Sequence, residues 1–171
     1  HVDYNETVYQ TRGRFSINLS GATLNDESFP DFVFDLFERY NIPPFMICFE
    51  LTETAAISNF TRVVQFIKEL KKIGCCFSLD DFGTGWASFN YLKHLPVDFL
   101  KIDGSFVKGI DKNPLDYVLV ETINHIGQVM GLETIAEYVE TEAILDKLKV
   151  IGVNYAQGFI ISRPEPLTFN K

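Results

Sequence analysis

Two kinds of hydrophobic pattern alternate along this chain. Short apolar runs rich in β-branched and aromatic residues predict buried strands, and longer segments with apolar residues three and four positions apart predict amphipathic helices. The predicted strands are Arg14–Leu19, Phe45–Leu51, Cys75–Leu79, Asp98–Ile102, Leu132–Ala136 and Gly152–Ala156. The predicted helices are Pro30–Tyr40, Phe60–Ile73, Leu115–Met130 and Thr141–Val150, with a shorter one at Ser88–His94 and a turn at Ser105–Ile110.

Strands that alternate with helices predict a parallel sheet with helical crossovers. Either an open doubly wound sheet or a TIM-type (β/α)8 barrel could result. An open sheet concentrates functional residues near one switch point, whereas a barrel collects them from nearly every strand on its carboxyl-terminal face. Polar residues recur where the predicted strands finish, at Asn18, Glu50, Asp80, Lys101, Glu137 and Gln157. We therefore expect an α/β fold of the TIM-barrel type, with about six of the eight strand-helix units in this chain.

Composition supports a folded domain and limits its partners. The 171 residues are 46% apolar and 14% aromatic, which excludes a disordered or coiled-coil chain. The formal net charge is -8, and no run of Lys or Arg offsets it locally. We therefore expect no binding to DNA, RNA or an anionic membrane surface. We also expect no membrane segment, because no apolar stretch approaches the roughly 18 residues that a spanning helix needs.

The cysteines indicate the cellular compartment. Cys48, Cys75 and Cys76 lie in strongly apolar runs, and their number is odd. Without metal-type spacing, they are predicted to be reduced thiols in the core. Reduced thiols are typical of a cytoplasmic protein.

The polar strand ends also predict a metal centre. Clustered carboxylates repel one another, and oxygen ligands with this much negative charge suit hard cations such as Mg2+ or Mn2+. Adjacent carboxylates could serve two metals, although Asp80 and Asp81 could also simply begin the turn Asp-Asp-Phe-Gly-Thr-Gly. The candidate oxygen ligands are Asn18, Glu50, Asp80, Asp81 and Glu137.

Four further residues have more than one interpretation. Lys101, inside an apolar strand, could form a structural ion pair, or it could orient a nucleophile and stabilise charge on a phosphate. Asp103 would face the same side as Lys101 if the strand persists. Glu53 could cap the next helix or tie down a neighbouring loop, and Gln157 could contact a ligand or only form a turn with the glycine that follows.

Several long motifs, in order, resemble the EAL domain, the bacterial cyclic-di-GMP phosphodiesterase domain. The resemblance extends from about Arg14 to about Pro166 and is carried by FSINLSG, FELTET, LDDFGTGWASFNYLKHLPVDFLKIDGSFV, ETIAEYVET and NYAQGFIISRP. It implies a modified TIM-type barrel and metal-dependent hydrolysis of cyclic di-GMP to linear pGpG. It also implies two ions of Mg2+ or Mn2+, a homodimer, and attachment to sensory or GGDEF-type domains.

The resemblance assigns roles to individual residues. Asp81 would serve the second metal, and Lys101 would position the attacking water, with Asp81 and Glu137 as further catalytic residues. Asp103 would be a neighbour of Lys101 in the site. The metal ligands implied by the matched motifs are Asn18, Glu50, Asp80, Asp81 and Glu137.

The resemblance implies supporting roles for two more residues. Glu53 matches the glutamate that anchors the DDFG loop, a loop implicated in dimerisation-linked activation. Gln157 matches a glutamine near the site after the last strand.

The chain departs from the family pattern at several places. Trp86 stands where Tyr is usual, and Tyr138 stands where Gly is usual and could crowd the site. No Glu-Ala-Leu segment occurs, although its Glu is a metal ligand in the family. Residues 1–13 do not resemble the two expected first units. We therefore expect residues 1–13 to be irregular or residual and residues 14–171 to form a partial EAL domain.

Two alternatives to an active phosphodiesterase remain open. A degenerate EAL domain could bind cyclic di-GMP without cleaving it, or serve only as a protein-interaction module. Another carboxylate-metal barrel, such as an enolase-like enzyme with a lysine base, is a more remote possibility.

Overall fold

Strands and helices alternate throughout residues 13–84 and 89–165, the part of the chain described by the computed structural model. The strands are β1 (Phe15–Leu19), β2 (Ile47–Thr52), β3 (Cys76–Phe82), β4 (Phe99–Ile102), β5 (Glu133–Ala136) and β6 (Tyr155–Ala156). The helices are α1 (Gly21–Leu24), α2 (Phe29–Tyr40), α3 (Glu53–Ser58), α4 (Phe60–Ile73), α5 (Phe89–Leu92), α6 (Gly104–Val107), α7 (Pro114–Val129) and α8 (Glu142–Ile151). A 3-10 turn at Pro44–Met46 precedes β2.

The strand order is the one expected for successive units of a (β/α)8 barrel. The strands form one sheet in the order β1-β2-β3-β4-β5-β6, in which neighbouring strands are hydrogen-bonded to each other. The pairs β1–β2, β4–β5 and β5–β6 are parallel. The predicted TIM-type architecture with six strand-helix units is therefore confirmed.

Most predicted boundaries agree with the structure, and the differences have local causes. Helices α2, α4, α7 and α8 lie within one residue of their predicted ends. Strand β2 begins later than predicted because a 3-10 turn occupies Pro44–Met46. The predicted turn at Ser105–Ile110 begins as the one-turn helix α6, because the side chain of Asp103 caps it. Residues 1–12, Trp86 and Ser88 lie outside the described residues.

The described chain divides into two compact units. One contains the chain up to Leu79 and the segment that ends at Asp98, and the other contains the chain from Asp80 to Thr84 and from Phe99 onward. In the first unit, α4 buries its apolar face, on which Phe66 lies. The Phe66 ring is 6.5 Å from that of Phe49 and 5.9 Å from that of Phe77. This aromatic cluster packs α4 against β2 and β3.

The cysteines are free thiols, as predicted. Cys48 and Cys75 are buried, whereas Cys76 is half-buried. Burial raises the pKa of both Cys48 and Cys75 to about 12, so neither forms a thiolate at neutral pH. No described helix combines the length and the apolar character that crossing a bilayer requires.

A buried polar network joins α7 to β5 in the second unit. The Thr134 hydroxyl donates to Asn124 Oδ1 at 2.5 Å, and the Thr134 N–H donates to Asn154 Oδ1 at 2.8 Å. The Asn124 amide donates to the Ile151 carbonyl at 3.1 Å. Each polar group therefore has a partner, which offsets the free energy lost when it leaves water.

We predict that Asn124→Ala lowers the free energy of unfolding by about 1–3 kcal/mol, because Thr134 and the Ile151 carbonyl lose a buried partner. Urea denaturation monitored by circular dichroism measures this loss. The control is Gln128→Ala, because its bond to the Gly152 carbonyl is exposed; we expect a change within about 0.5 kcal/mol. Equal losses in the two variants would contradict the role of the network.

Candidate active site

The acidic pair on β3 lies inside the strand and also leads into a turn. The Asp81 N–H donates to Asp80 Oδ1 at 3.0 Å. Asp81 has φ +56, the left-handed conformation that Asp tolerates better than most residues. The hydroxyl of Thr84 then donates to the Asp81 carbonyl at 3.0 Å. The strand and the turn therefore overlap, and the two carboxyl groups lie where the backbone changes direction.

A buried lysine contacts two of the acidic side chains. Lys101, on β4, is 3% exposed. Its Nζ lies 2.9 Å from Asp80 Oδ1 and 2.6 Å from Glu137 Oε1. Glu137 follows β5, and its N–H donates to the Ile102 carbonyl at 3.2 Å. Three successive strands thus bring one ammonium and two carboxylates into direct contact.

The electrostatic balance keeps Lys101 charged. Burial alone would lower its pKa, but hydrogen bonds to Glu137 and Asp80 outweigh burial, so the pKa is raised. Burial raises the pKa of Glu137, and the charges of Asp80 and Asp81 add to this effect against the Lys101 ammonium. Burial also raises the pKa of Asp81, followed in size by the charges of Asp80 and Asp103. One ammonium therefore faces more negative charge than it can neutralise.

These carboxylates fit a divalent cation. One oxygen from each of Asp80, Asp81 and Glu137 can be chosen so that all lie within 4.8 Å of one another. Carboxylate oxygens are the ligands that Mg2+ and Mn2+ prefer. A cation here would also reduce the mutual repulsion that raises the pKa of Asp81. The donor set and its charge therefore agree with a metal centre.

Asp103 directly follows β4. The condition under which it was expected to face the same side as Lys101 is not met, because β4 ends at Ile102, where its end was predicted. Asp103 instead caps α6, where its Oδ1 accepts the Ser105 N–H at 2.8 Å. A hydrogen bond between the side chains of Asp81 and Asp103 contributes to the raised pKa of Asp81. The cap thus places Asp103 beside Asp81.

Three of the predicted site residues belong to the first compact unit. Asn18 and Glu50 are register partners in the parallel pair of β1 and β2. Asn18 is exposed, whereas Glu50 is buried. Glu53 is the buried first residue of α3, where its negative charge is favourable near the helix N-terminus. Thr52 is the capping residue of this helix, so capping by Glu53 is wrong, and its anchoring of the loop stays a prediction.

Gln157 is connected to the site through its backbone. Its N–H donates to the Ala136 carbonyl at 2.8 Å, and its carbonyl accepts the Val139 N–H at 3.0 Å. The Gln157 side chain is exposed. Gln157 therefore supports the chain on both sides of Glu137, and a ligand contact stays a prediction.

Sequence reasoning missed the conformation of Tyr138. This residue follows Glu137 and has φ +53, a conformation that costs about 1–2 kcal/mol for most residues. The available signal was the family's usual Gly at this position, because Gly adopts positive φ readily. Interpreting Tyr138 only as a bulky side chain overlooked the backbone requirement.

The family assignment follows from sequence and structure together. The sequence profile of the EAL domain matches residues 5–164. This chain belongs to the EAL domain family. It is 49% identical over 152 residues to the cyclic di-GMP phosphodiesterase PdeB of Shewanella oneidensis, covering 89% of this chain and 18% of that protein. The chain spans about a fifth of the length of the curated relatives it matches.

Solved structures support the same fold. The PaMucR phosphodiesterase in complex with c-di-GMP has a TM-score of 0.85 and 34% identity, covering 90% of this chain and 62% of that one. BlrP1 of Klebsiella pneumoniae, in a manganese/cy-diGMP complex, has a TM-score of 0.83 and 26% identity. The match covers 93% of this chain and 41% of that one. The EAL chain is thus similar to structures that contain the nucleotide or manganese.

We predict that Lys101→Met lowers the free energy of unfolding by about 3–5 kcal/mol at pH 7.5, because it leaves Asp80 and Glu137 without their buried cation. Losing this ammonium raises the pKa of Glu137 further. Between the raised Glu137 pKa of the wild type and the still higher pKa of the variant, only the folded variant keeps this proton. The loss of stability relative to the wild type should therefore increase as the pH rises through that range, which begins above 4.5, the ordinary Glu value.

Urea denaturation at pH 5 and pH 7.5 measures this difference. Lys149→Met is the control, because that side chain is 63% exposed and its partner Asp146 is 70% exposed. Adding Glu137→Gln to Lys101→Met should recover part of the loss at pH 7.5. A loss for Lys101→Met that is the same at both pH values would contradict the charge argument.

Proposed function

We propose that this EAL domain contributes to an enzyme that hydrolyses cyclic di-GMP to linear pGpG with Mg2+ or Mn2+. The observation that carries the proposal is the buried Lys101 ammonium between Asp80 and Glu137, with Asp81 beside them. The names of the relatives and the nucleotide in the related structures support the substrate. The combination of a fixed cation and a carboxylate group suits the cleavage of a phosphodiester.

The acidic residues would hold the metal. Asp80, Asp81 and Glu137 offer oxygen ligands close to one another, and the matched motifs add Asn18 and Glu50. We propose two ions in the active form, because adjacent carboxylates can serve two positions. When bound, a divalent cation supplies Lewis acidity toward a phosphate and makes water more acidic.

The chain's own groups would orient the reactants and move protons. Lys101 stays protonated, so its ammonium can only donate hydrogen bonds, to water or to a phosphate oxygen. Glu137 and Asp81 have raised pKa values, which makes each a better proton acceptor than an ordinary carboxylate. The negative charge of Asp103 contributes to the raised pKa of Asp81.

Two further residues are assigned supporting roles. We assign Glu53 to stabilising the loop after β3, since it is buried at the first turn of α3. We assign Gln157 to the substrate side, since its backbone is fixed and its side chain is exposed.

The charge of the protein agrees with a metal-dependent mode of binding. A chain with a net charge of -8 repels a dianionic nucleotide unless cations reverse the local field. We therefore propose cyclic di-GMP as a ligand only of the metal-loaded protein. We further propose a homodimer attached to sensory or GGDEF-type domains, as the family resemblance implies, and a cytoplasmic location, as the reduced cysteines indicate.

One feature favours a second candidate function. The sequence has no Glu-Ala-Leu segment, whose Glu is a metal ligand in the EAL pattern. If the whole polypeptide also lacks this carboxylate, its centre would hold the cation less firmly and would bind cyclic di-GMP without cleaving it. The second candidate is therefore a cyclic-di-GMP receptor.

We predict that the whole polypeptide carrying this sequence converts cyclic di-GMP to pGpG when Mg2+ or Mn2+ is supplied. Chromatographic separation of the products measures the rate. Lys101→Met and Asp80→Asn should each reduce kcat by at least about 100-fold, because the first removes the ammonium that would face the reacting phosphate and the second removes a proposed metal ligand. The matched controls are Lys112→Met and Asp146→Asn, whose side chains are exposed.

The outcomes separate the two candidates. Hydrolysis that the site variants abolish and the controls retain supports the enzyme. Tight binding in calorimetry without turnover supports the receptor. Turnover that survives both site substitutions would contradict the proposed centre.

We predict that Mn2+ binds more weakly as the pH falls from 7.5 to 5.5. The pKa values of Asp81 and Glu137 are raised, so protons compete with the metal at a higher pH than for ordinary carboxyl groups. Electron paramagnetic resonance of free Mn2+ measures the affinity. Asp81→Asn should weaken binding by about tenfold or more, and Asp146→Asn should not change it. An affinity independent of pH over this range would contradict the assignment.

A further inference from the structure

Tyr138 has an unusual backbone for an aromatic residue beside the acidic group. Among residues 13–84 and 89–165, the non-glycine residues with positive φ are Asn41, Asp81 and Tyr138. Two of these, Asp81 and Tyr138, belong to the segments that carry the carboxylates. Asp and Asn tolerate the left-handed conformation, but Tyr gains no local hydrogen bond from it. Other contacts must therefore hold Tyr138 in place.

Two contacts hold the Tyr138 ring against α6. A Cβ added at Gly104 would lie 2.7 Å from Tyr138 Cγ and 2.9 Å from its Cβ, so the close approach requires a glycine there. The ammonium of Lys108 lies 4.0 Å from the centre of the ring, within cation–π distance. Gly104 and Lys108 are four residues apart. The tyrosine ring is thus fixed to both ends of one helical turn.

The backbone on each side of Tyr138 is held separately. The Glu137 N–H donates to the Ile102 carbonyl at 3.2 Å. On the other side, the Val139 N–H donates to the Gln157 carbonyl at 3.0 Å, and the Val139 side chain is fully buried. The left-handed residue between them turns the chain so that both bonds form while Glu137 contacts Lys101.

We propose that Tyr138 is a positioning residue for Glu137. Its ring, held by Gly104 and Lys108, maintains the left-handed turn and thereby keeps the Glu137 carboxylate against Lys101. Burial of apolar surface does not explain the contact by itself, because Tyr138 is 53% exposed. The catalytic part of this inference rests on the proposed function, whereas the backbone part does not depend on it.

Amide hydrogen exchange measures the backbone part in the whole polypeptide. We expect Tyr138→Ala to speed exchange at the Glu137 and Val139 amides by about tenfold, because it removes the ring contact and the cation–π contact together. Tyr138→Phe keeps both contacts and should leave exchange unchanged. Lys108→Met removes only the cation and should speed exchange by about threefold, which provides a second variant if Tyr138→Ala does not fold.

The matched control is Tyr117→Ala. Tyr117 also has a lysine over its ring, with Lys147 Nζ 5.7 Å from the ring centre, but it lies on α7, a segment that carries none of Asp80, Asp81 and Glu137. Its removal should leave exchange at Glu137 and Val139 unchanged. Equal exchange in the wild type, Tyr138→Ala and Lys108→Met would overturn the inference.

Kinetics and Mn2+ affinity measure the effect on Glu137. We expect Tyr138→Ala to lower kcat by about tenfold with KM within about twofold, and Tyr138→Phe to restore the wild-type values. An unchanged kcat in Tyr138→Ala would overturn the positioning role. If the wild type does not hydrolyse cyclic di-GMP, the proposed function fails, and Mn2+ affinity decides: weaker binding in Tyr138→Ala supports the inference, and equal binding overturns it.

Discussion

The contact of Lys101 with Asp80 and Glu137 is the interaction on which the acidic group depends. Carboxylates placed close together in a partly buried site repel one another and lose hydration. The ammonium of Lys101 offsets part of this, with Nζ–O distances of 2.9 and 2.6 Å. Because β3, β4 and the end of β5 each supply one partner, the ion pairs also connect three successive strands. The same contact therefore stabilises this unit and keeps the ionisable side chains of the candidate site together.

Much of the fold could be predicted because its signals are local. The amphipathic period of α4 and the Gly74 that ends it identify the helix without reference to any neighbour. Strand lengths were less predictable, because they depend on pairing. Strand β3 continues through Phe82, whereas β6 keeps only Tyr155 and Ala156 of a longer predicted run. Asn124 gave no local sign that it would bond to Thr134 across the helix–strand contact.

The candidate site was predictable in composition but only partly in geometry. Polar residues at strand ends indicated Asp80, Lys101 and Glu137, and the structure brings these side chains into contact. Asp103 was considered only as a possible continuation of the strand that ends at Ile102, so its role as the cap of α6 was missed. The left-handed turn at Tyr138 depends on a close approach to Gly104, and no pattern within one segment could reveal that approach.

The conformations of Asp81 and Tyr138 have a common physical basis. In regular strands, successive side chains point to opposite faces of the sheet. A regular strand end therefore cannot place two adjacent side chains in the same cluster of acidic residues. A left-handed residue changes the direction of the chain within one step, at a cost of about 1–2 kcal/mol. Asp81 uses this conformation to turn β3 beside Asp80, and Tyr138 uses it directly after Glu137. The ion pairs of Lys101 and the contacts of the Tyr138 ring offset that cost, so backbone strain and charge pairing stabilise the same arrangement.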